Sequence, residues 1–119
     1  MERTGQKKSR ESAAAARAGA LRVHGMVEDI VGCKWSLSVL ALVREGVRRP
    51  GAMQKRVPGL STKVLNERLR KLQRFGIVEK HAYAEVPPRV EYALTEFGER
   101  FAAILDDIDR VQRWLETSR

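Results

Sequence analysis

Thr62, Lys63, Asn66, Arg70 and Gln73 bring a hydroxyl, an ammonium, two carboxamides and a guanidinium into one short stretch of the chain. Groups of this kind donate to phosphate oxygens and pair with base edges in the major groove of a duplex. A carboxamide matches N6 and N7 of adenine, and a guanidinium matches O6 and N7 of guanine, so Asn66 and Arg70 are the candidate readers. Ser61, Thr62 and Lys63 fall where a helix N-terminus offers unbonded N–H groups and a positive dipole to a phosphate. Lys80, His81 and Arg89 add charge suited to phosphates or to a narrow minor groove. Arg68 reads either as a duplex contact or as a partner within the fold, and Glu67 as a group that orients a neighbour.

Other chemistries find less support. Two histidines, His24 and His81, and one cysteine, Cys33, show no nucleophile–base or metal-ligand spacing, and no glycine-rich phosphate loop is present. Asp106, Asp107 and Asp109 form a carboxylate run that reads as a solvated helix face and not as a cation site. The chain therefore reads as a non-enzyme that needs no cofactor and no metal. Cys33 excludes an intramolecular disulfide framework and fits a reducing, cytoplasmic setting. With Trp35 and Leu37 nearby, it reads as a small buried apolar residue. The alternative is a redox or electrophile sensor activated by Lys34 and a helix N-terminus.

Elements must position these groups. Leu65, Leu69 and Leu72 recur at helical spacing, which predicts a basic amphipathic recognition helix over residues 61–75, capped by Ser61 and stopped by Gly76. Val90, Tyr92 and Leu94 alternate with Arg89, Glu91 and Ala93, which predicts a strand buried on one side. With a partner strand over Ile77 to Tyr83 it forms a hairpin, or wing, spanning residues 77–94. Pro87 and Pro88 cannot donate to a ladder, so they belong to its loop. Upstream, a short helix is predicted over Val23 to Val31. A second, over Lys34 to Arg44, is apolar on nearly all sides and reads as the central buried helix. Gly46 stops it, Val47 to Arg49 forms a short extended piece, and Pro50 suits the first position of a helix ending at Arg56.

Charge follows the same division. The 119 residues carry a net +8, which favours polyanions. Residues 1–90 hold a net +11, and residues 91–119 a net −3. No apolar run approaches the roughly 20 residues that span a bilayer, so no membrane partner is expected. Residues 1–21 read as a flexible basic tail, and residues 22–117 as one domain.

The final helix, predicted over residues 95–116 with Thr95 as its cap, has a different task. Phe97, Phe101, Ile104, Ile108, Val111 and Leu115 follow the alternating 4 and 3 spacing of a helix seam. Leu105 and Trp114 widen the stripe beyond what one small domain can cover. A homodimer across this helix is expected. The fold is thus mainly α with a small β-hairpin.

These pieces in this order resemble the HxlR-type winged helix-turn-helix regulators, relatives of the MarR group. The resemblance runs from Gly32-Cys33-Lys34-Trp35 through Gly46, Arg49, Val57-Pro58-Gly59-Leu60-Ser61, Leu65-Asn66-Glu67-Arg68-Leu69, Leu72 and Gly76-Ile77-Val78-Glu79. It ends on Tyr83-Ala-Glu-Val-Pro-Pro-Arg-Val-Glu-Tyr-Ala-Leu-Thr95 with Gly98. It implies a bacterial or archaeal homodimer that binds double-stranded operator DNA and regulates transcription, by default as a repressor. It also implies a winged helix-turn-helix fold of three core helices plus wing, with N- and C-terminal dimerisation helices that meet through Val23 and Val27 together with the seam residues. Some members of the group respond to electrophiles through a cysteine before the first helix, whereas the one thiol here is Cys33. Three further readings stay open: a thiol-responsive sensor switched by Cys33, a sensor of a small-molecule effector whose identity no residue cluster names, and a winged-helix module for protein or RNA.

Overall fold

A computed structural model describes residues 22–118 of the chain. The basic segment 1–21 lies outside the described residues. In order, the elements are α1 (Val23–Gly32), α2 (Ser36–Glu45), α3 (Pro50–Arg56), α4 (Thr62–Arg74), β1 (Val78–Tyr83), β2 (Arg89–Leu94) and α5 (Glu96–Thr117). The fold is mainly helical with one antiparallel hairpin, the order of a winged helix-turn-helix.

The leucine stripe of α4 makes the centre. Leu65, Leu69 and Leu72 are buried against Met26 and Ile30 of α1, Val39, Leu40 and Val43 of α2, and Met53 of α3. Burying one such side chain contributes about 1.5–3 kcal/mol. Ser61 caps α4 as expected, its Oγ accepting from Val64 N–H at 3.1 Å. At the other end Gly76 takes φ +80°, a conformation in which a Cβ is penalised. Its N–H donates to Gln73 O at 3.0 Å, and Ile77 N–H donates to Leu72 O at 2.9 Å, the paired bonds of a Schellman cap. Ile77 is taken up by this cap, so β1 begins one residue later than its sequence suggests.

Two expectations are corrected in α2. The helix starts at Ser36 and not Lys34, because Trp35 adopts the left-handed conformation at φ 77° and serves as the N-cap. It is also not buried all round: Ser36, Val39, Leu40, Leu42 and Val43 are buried, whereas Leu37, Ser38 and Ala41 are exposed. A three-helix core presents only one side to each member, so the remaining apolar side is left at the surface. The extended piece at Val47 to Arg49 is not a strand of the described sheet, which has two strands. It is still held by the wing, since Tyr92 N–H donates to Arg48 O at 2.8 Å.

The hairpin pairs Val78 with Leu94, Lys80 with Tyr92 and Tyr83 with Arg89. Val78 and Tyr92 are buried on the side that meets the core. Thr95 then locks hairpin to helix. Its hydroxyl donates to Gly76 O at 2.6 Å and accepts from Gly98 N–H at 2.9 Å, and its own N–H reaches Ile77 O at 3.1 Å. A Cβ at Gly98 would lie 2.0 Å from Ile77 O, so only glycine lets α5 approach the end of α4 this closely.

Candidate nucleic-acid interface

The sides of α4 sort its charges. On one flank Arg68 Nε donates to Lys34 O at 2.8 Å, with Glu67 3.8 Å from its guanidinium. Lys71 Nζ lies 2.7 Å from Asp29 Oδ1 and 3.5 Å from Cys33 Sγ. The hydrogen bond to Asp29 holds the Lys71 ammonium above the ordinary lysine range, against the opposing effect of burial. These two cations fasten α4 to the α1–α2 corner. On the side away from the core Lys63, Asn66, Arg70, Gln73 and Arg74 are exposed. None of these five bonds another side chain among the described residues.

The N-terminal residues of α4 divide in the same way. The Ser61 oxygen is engaged as a cap. The Thr62 hydroxyl donates to Gln54 Oε1 at 3.2 Å, and Gln54 in turn donates to Leu60 O at 3.1 Å. Thr62 therefore ties α3 to α4, and its proton is committed within the fold. The exposed first turn still presents backbone N–H groups beside Lys63.

Strand alternation splits the three basic side chains of the wing. Lys80 shares a sheet face with Tyr92 and Val90, turned toward α4. His81 and Arg89 occupy the opposite face. His81 Nε2 lies 3.1 Å from Glu79, and the Arg89 guanidinium sits 4.0 Å over the Tyr83 ring, 3.1 Å from Glu85 and 3.5 Å from Glu91. Carboxylates thus accompany His81 and Arg89, whereas Lys80 faces the other way, because neighbouring residues on a strand alternate between its faces.

Two clefts border the hairpin. One, of about 270 Å³, lies between α4 and the sheet and is lined by Pro50, Asn66, Arg70, Gln73, Lys80, Val90 and Tyr92. Burial pushes the Tyr92 hydroxyl above the usual phenol range, and the charge of Arg70 pulls the other way. The second, of about 530 Å³, runs between α3 and the wing and is lined by Arg49, Pro50, Gly51, Ala52, Lys55, Pro88, Arg89 and Val90. The clefts share Pro50 and Val90, so the basic surface is continuous. Arg49, Lys55 and Arg74 were not among the residues singled out from sequence. The signal for the first was the run Arg48-Arg49-Pro50, where a proline that starts a helix leaves the preceding side chain at the surface.

The seam of α5 is one stripe in sequence and two in space. Gly98, Phe101, Ala102 and Leu105 are buried in the protomer's own core, and Phe97 packs against that core at a ring distance of 6.1 Å from Phe101. Phe101 is 1% exposed, so its expected place in a dimer interface is corrected: it is taken up by the core of its own protomer. Val27 likewise packs partly against the core, whereas Val23 is exposed. Beyond Leu105 the helix leaves the core. Ile104, Ile108 and Leu115 are exposed, and Val111 and Trp114 are each 64% exposed. Val31 and Leu37 are exposed as well. Cys33 is half-buried beside Lys71, in a less apolar neighbourhood than Leu37 suggested. No described helix is long and apolar enough to cross a membrane.

The comparisons agree with this architecture. HTH-type transcriptional regulator sll1512 of Synechocystis sp. is 42% identical over 91 residues, covering 76% of this chain and 67% of that protein. The chain matches between 58% and 67% of the length of the first three curated relatives. The crystal structure of a MarR-family transcriptional regulator from Enterococcus faecalis V583 superimposes with a TM-score of 0.72 at 28% identity, over 78% of this chain and 84% of that one. The redox regulator HypR, in its oxidised form, does so with a TM-score of 0.63 at 32% identity, over 79% and 94%. The family model for the HxlR-like helix-turn-helix matches residues 30–119. A capped basic helix followed by a hairpin, this span and these relatives converge: the chain belongs to the HxlR-like helix-turn-helix family of transcriptional regulators.

Proposed function

We propose that this regulator acts as a cytoplasmic homodimer that binds a pseudo-palindromic operator in double-stranded DNA and represses by occupying it. One observation carries the DNA part. Lys63, Arg70, Arg74, Lys80, Arg49 and Lys55, on α4, the wing and the α3 corner, have no carboxylate partner among the described residues, whereas Arg68, Lys71 and Arg89 are tied into the fold. Unneutralised cations around an exposed helix suit a polyanion. Ser61 and Thr62 set the start of the helix, Lys63 and Asn66 meet the major groove, and Arg70 and Lys80 border the strand beside it, with His81 and Arg89 on the opposite face of the hairpin.

The dimer part is supported by the distal half of α5. Ile104, Ile108, Val111 and Leu115 are exposed along α5, and Val23 is exposed on α1, apolar positions that a second copy can cover. Two recognition helices related by a two-fold axis then meet half-sites roughly 34 Å apart. Selection of bound duplexes from a random pool tests the whole reading. Paired, inverted half-sites at one helical turn or a multiple support it; an unpaired motif or no enriched duplex overturns it.

A second reading, regulation through the Cys33 thiol, is favoured by one contact. Cys33 Sγ lies 3.5 Å from Lys71 Nζ, and Lys71 belongs to α4. An adduct on the sulfur would crowd the Lys71–Asp29 bond that seats the recognition helix. Labelling the native protein with a thiol reagent, then measuring operator affinity, tests it: unchanged affinity after complete labelling removes the reading.

A further inference from the structure

We infer that the cleft between α4 and the hairpin is a seat for one phosphodiester group, gripped jointly by Arg70 and Lys80. The inference rests on the DNA-binding reading above. It gives Arg70 a strand-positioning role in place of the guanine-reading role its residue type suggests.

The cleft has the composition an anion requires. Its polar lining residues are Arg70, Lys80, Asn66, Gln73 and Tyr92, and among the described residues no acidic one lines it. Among the described residues none of Asn66, Arg70, Gln73 and Lys80 bonds another side chain. Elsewhere on the hairpin, basic side chains are accompanied by acids, as His81 is by Glu79 and Arg89 by Glu85 and Glu91. Two cations facing one another without a counter-charge leave a local positive potential that a single phosphate neutralises.

Duplex geometry supplies the second argument. A helix in the major groove and a hairpin at the adjoining minor groove are separated by one sugar-phosphate strand, because that strand is the wall between the two grooves. The strand must therefore pass between α4 and the hairpin, where this cleft lies. Asn66, Arg70 and Gln73 form the stripe of α4 that faces the hairpin, while Lys63 and Arg74 sit farther around the helix. Arg70 thus meets the wall of the groove before its floor.

The test uses the full chain, with a duplex selected from a random pool and a scrambled duplex of equal length. Arg70→Ala and Lys80→Ala are each expected to weaken both duplexes by the same factor, about tenfold, and to lower the salt slope by about 1. Arg70→Lys is expected to restore most of that loss, since a point charge suffices for phosphate but not for a two-pronged guanine contact. Replacing single phosphates by neutral methylphosphonates should reveal one position per half-site that costs the wild type affinity and leaves the double variant unaffected. Loss of preference for the selected duplex in Arg70→Ala, unrescued by Arg70→Lys, overturns the seat while leaving DNA binding intact. Failure of the wild type to bind any duplex overturns both. Inorganic phosphate provides the remaining arm: saturable calorimetric binding to the DNA-free wild type, abolished in the double variant, with no sensitive methylphosphonate position, assigns the cleft to a free anion and overturns the strand assignment.

Discussion

Arg44 of α2 grips Asp106 of α5 through two parallel N–H···O bonds, Nη1 to Oδ1 at 2.7 Å and Nη2 to Oδ2 at 2.8 Å. The pair joins the central helix to the point where α5 leaves the core, so it bears on how the exposed half of α5 is aimed. The Arg44 guanidinium, by direct hydrogen bonding, holds the Asp106 carboxyl below the usual carboxylate range. A carboxyl whose folded value is depressed stabilises the fold above its unfolded value, and that contribution fades as pH falls through the folded value. Asp106→Asn is therefore expected to lower Tm slightly near pH 7 and to flatten its decline below about pH 4. Thermal unfolding of both proteins from pH 7 to pH 2 checks this; parallel curves would remove Asp106 from the acid transition.

The alkaline edge has the opposite sign. Lys71 is raised by its hydrogen bond to Asp29, and Tyr92 is raised by burial. Both groups hold their protons more tightly when folded, so their stabilisation is complete below the unfolded values and is lost as pH rises through the folded ones. Urea midpoints should stay flat from pH 7 to 9 and fall above about pH 10. Lys71→Met combined with Tyr92→Phe should make that fall shallower, and an unchanged slope would show that other groups govern it.

The two faces of α5 make separable predictions. Phe101→Ala empties a fully buried site and should cost about 3–5 kcal/mol of stability, measured by urea unfolding. Ile108→Asp together with Val111→Asp touches only exposed positions. That variant should retain its helical circular dichroism and elute as a monomer in size-exclusion chromatography with light scattering, where the wild type is expected to elute as a dimer. A wild type that is monomeric at micromolar concentration would remove the α5 interface.

Gly98→Ala tests the lock between hairpin and helix. The new Cβ would collide with Ile77 O, a backbone atom that cannot rotate away. The expected loss is about 1–3 kcal/mol or more, read as a lower Tm. Hydrogen exchange should rise first at Ile77 and Thr95, whose backbone atoms form the junction. Gly51→Ala, where nothing lies within 4 Å of a built Cβ, serves as the control and should leave Tm near that of the wild type.

Local features of the chain were legible without coordinates because their causes are local. The spacing of Leu65, Leu69 and Leu72 sets the buried face of α4. The Ser61 and Thr95 caps act within three residues. Gly46 and Gly76 terminate helices through their own backbone freedom, and the alternation through Val90, Tyr92 and Leu94 selects the inner face of β2. Tertiary structure decided whatever depends on partners distant in sequence. Phe101 and Ile108 belong to one heptad-like pattern, yet the protomer's core takes up the first and leaves the second at the surface. Trp35 takes a left-handed conformation that no local rule favours, with its ring near Gly59. Lys71 and Lys80 are the same residue type in the same basic region. Only the approach of α1 to α4 engages one of them with Asp29, and only the strand pairing turns the other toward Arg70 across an open cleft. Periodicity and capping are properties of a segment, whereas the neutralisation of a charge depends on which other segments the fold brings within about 4 Å of it.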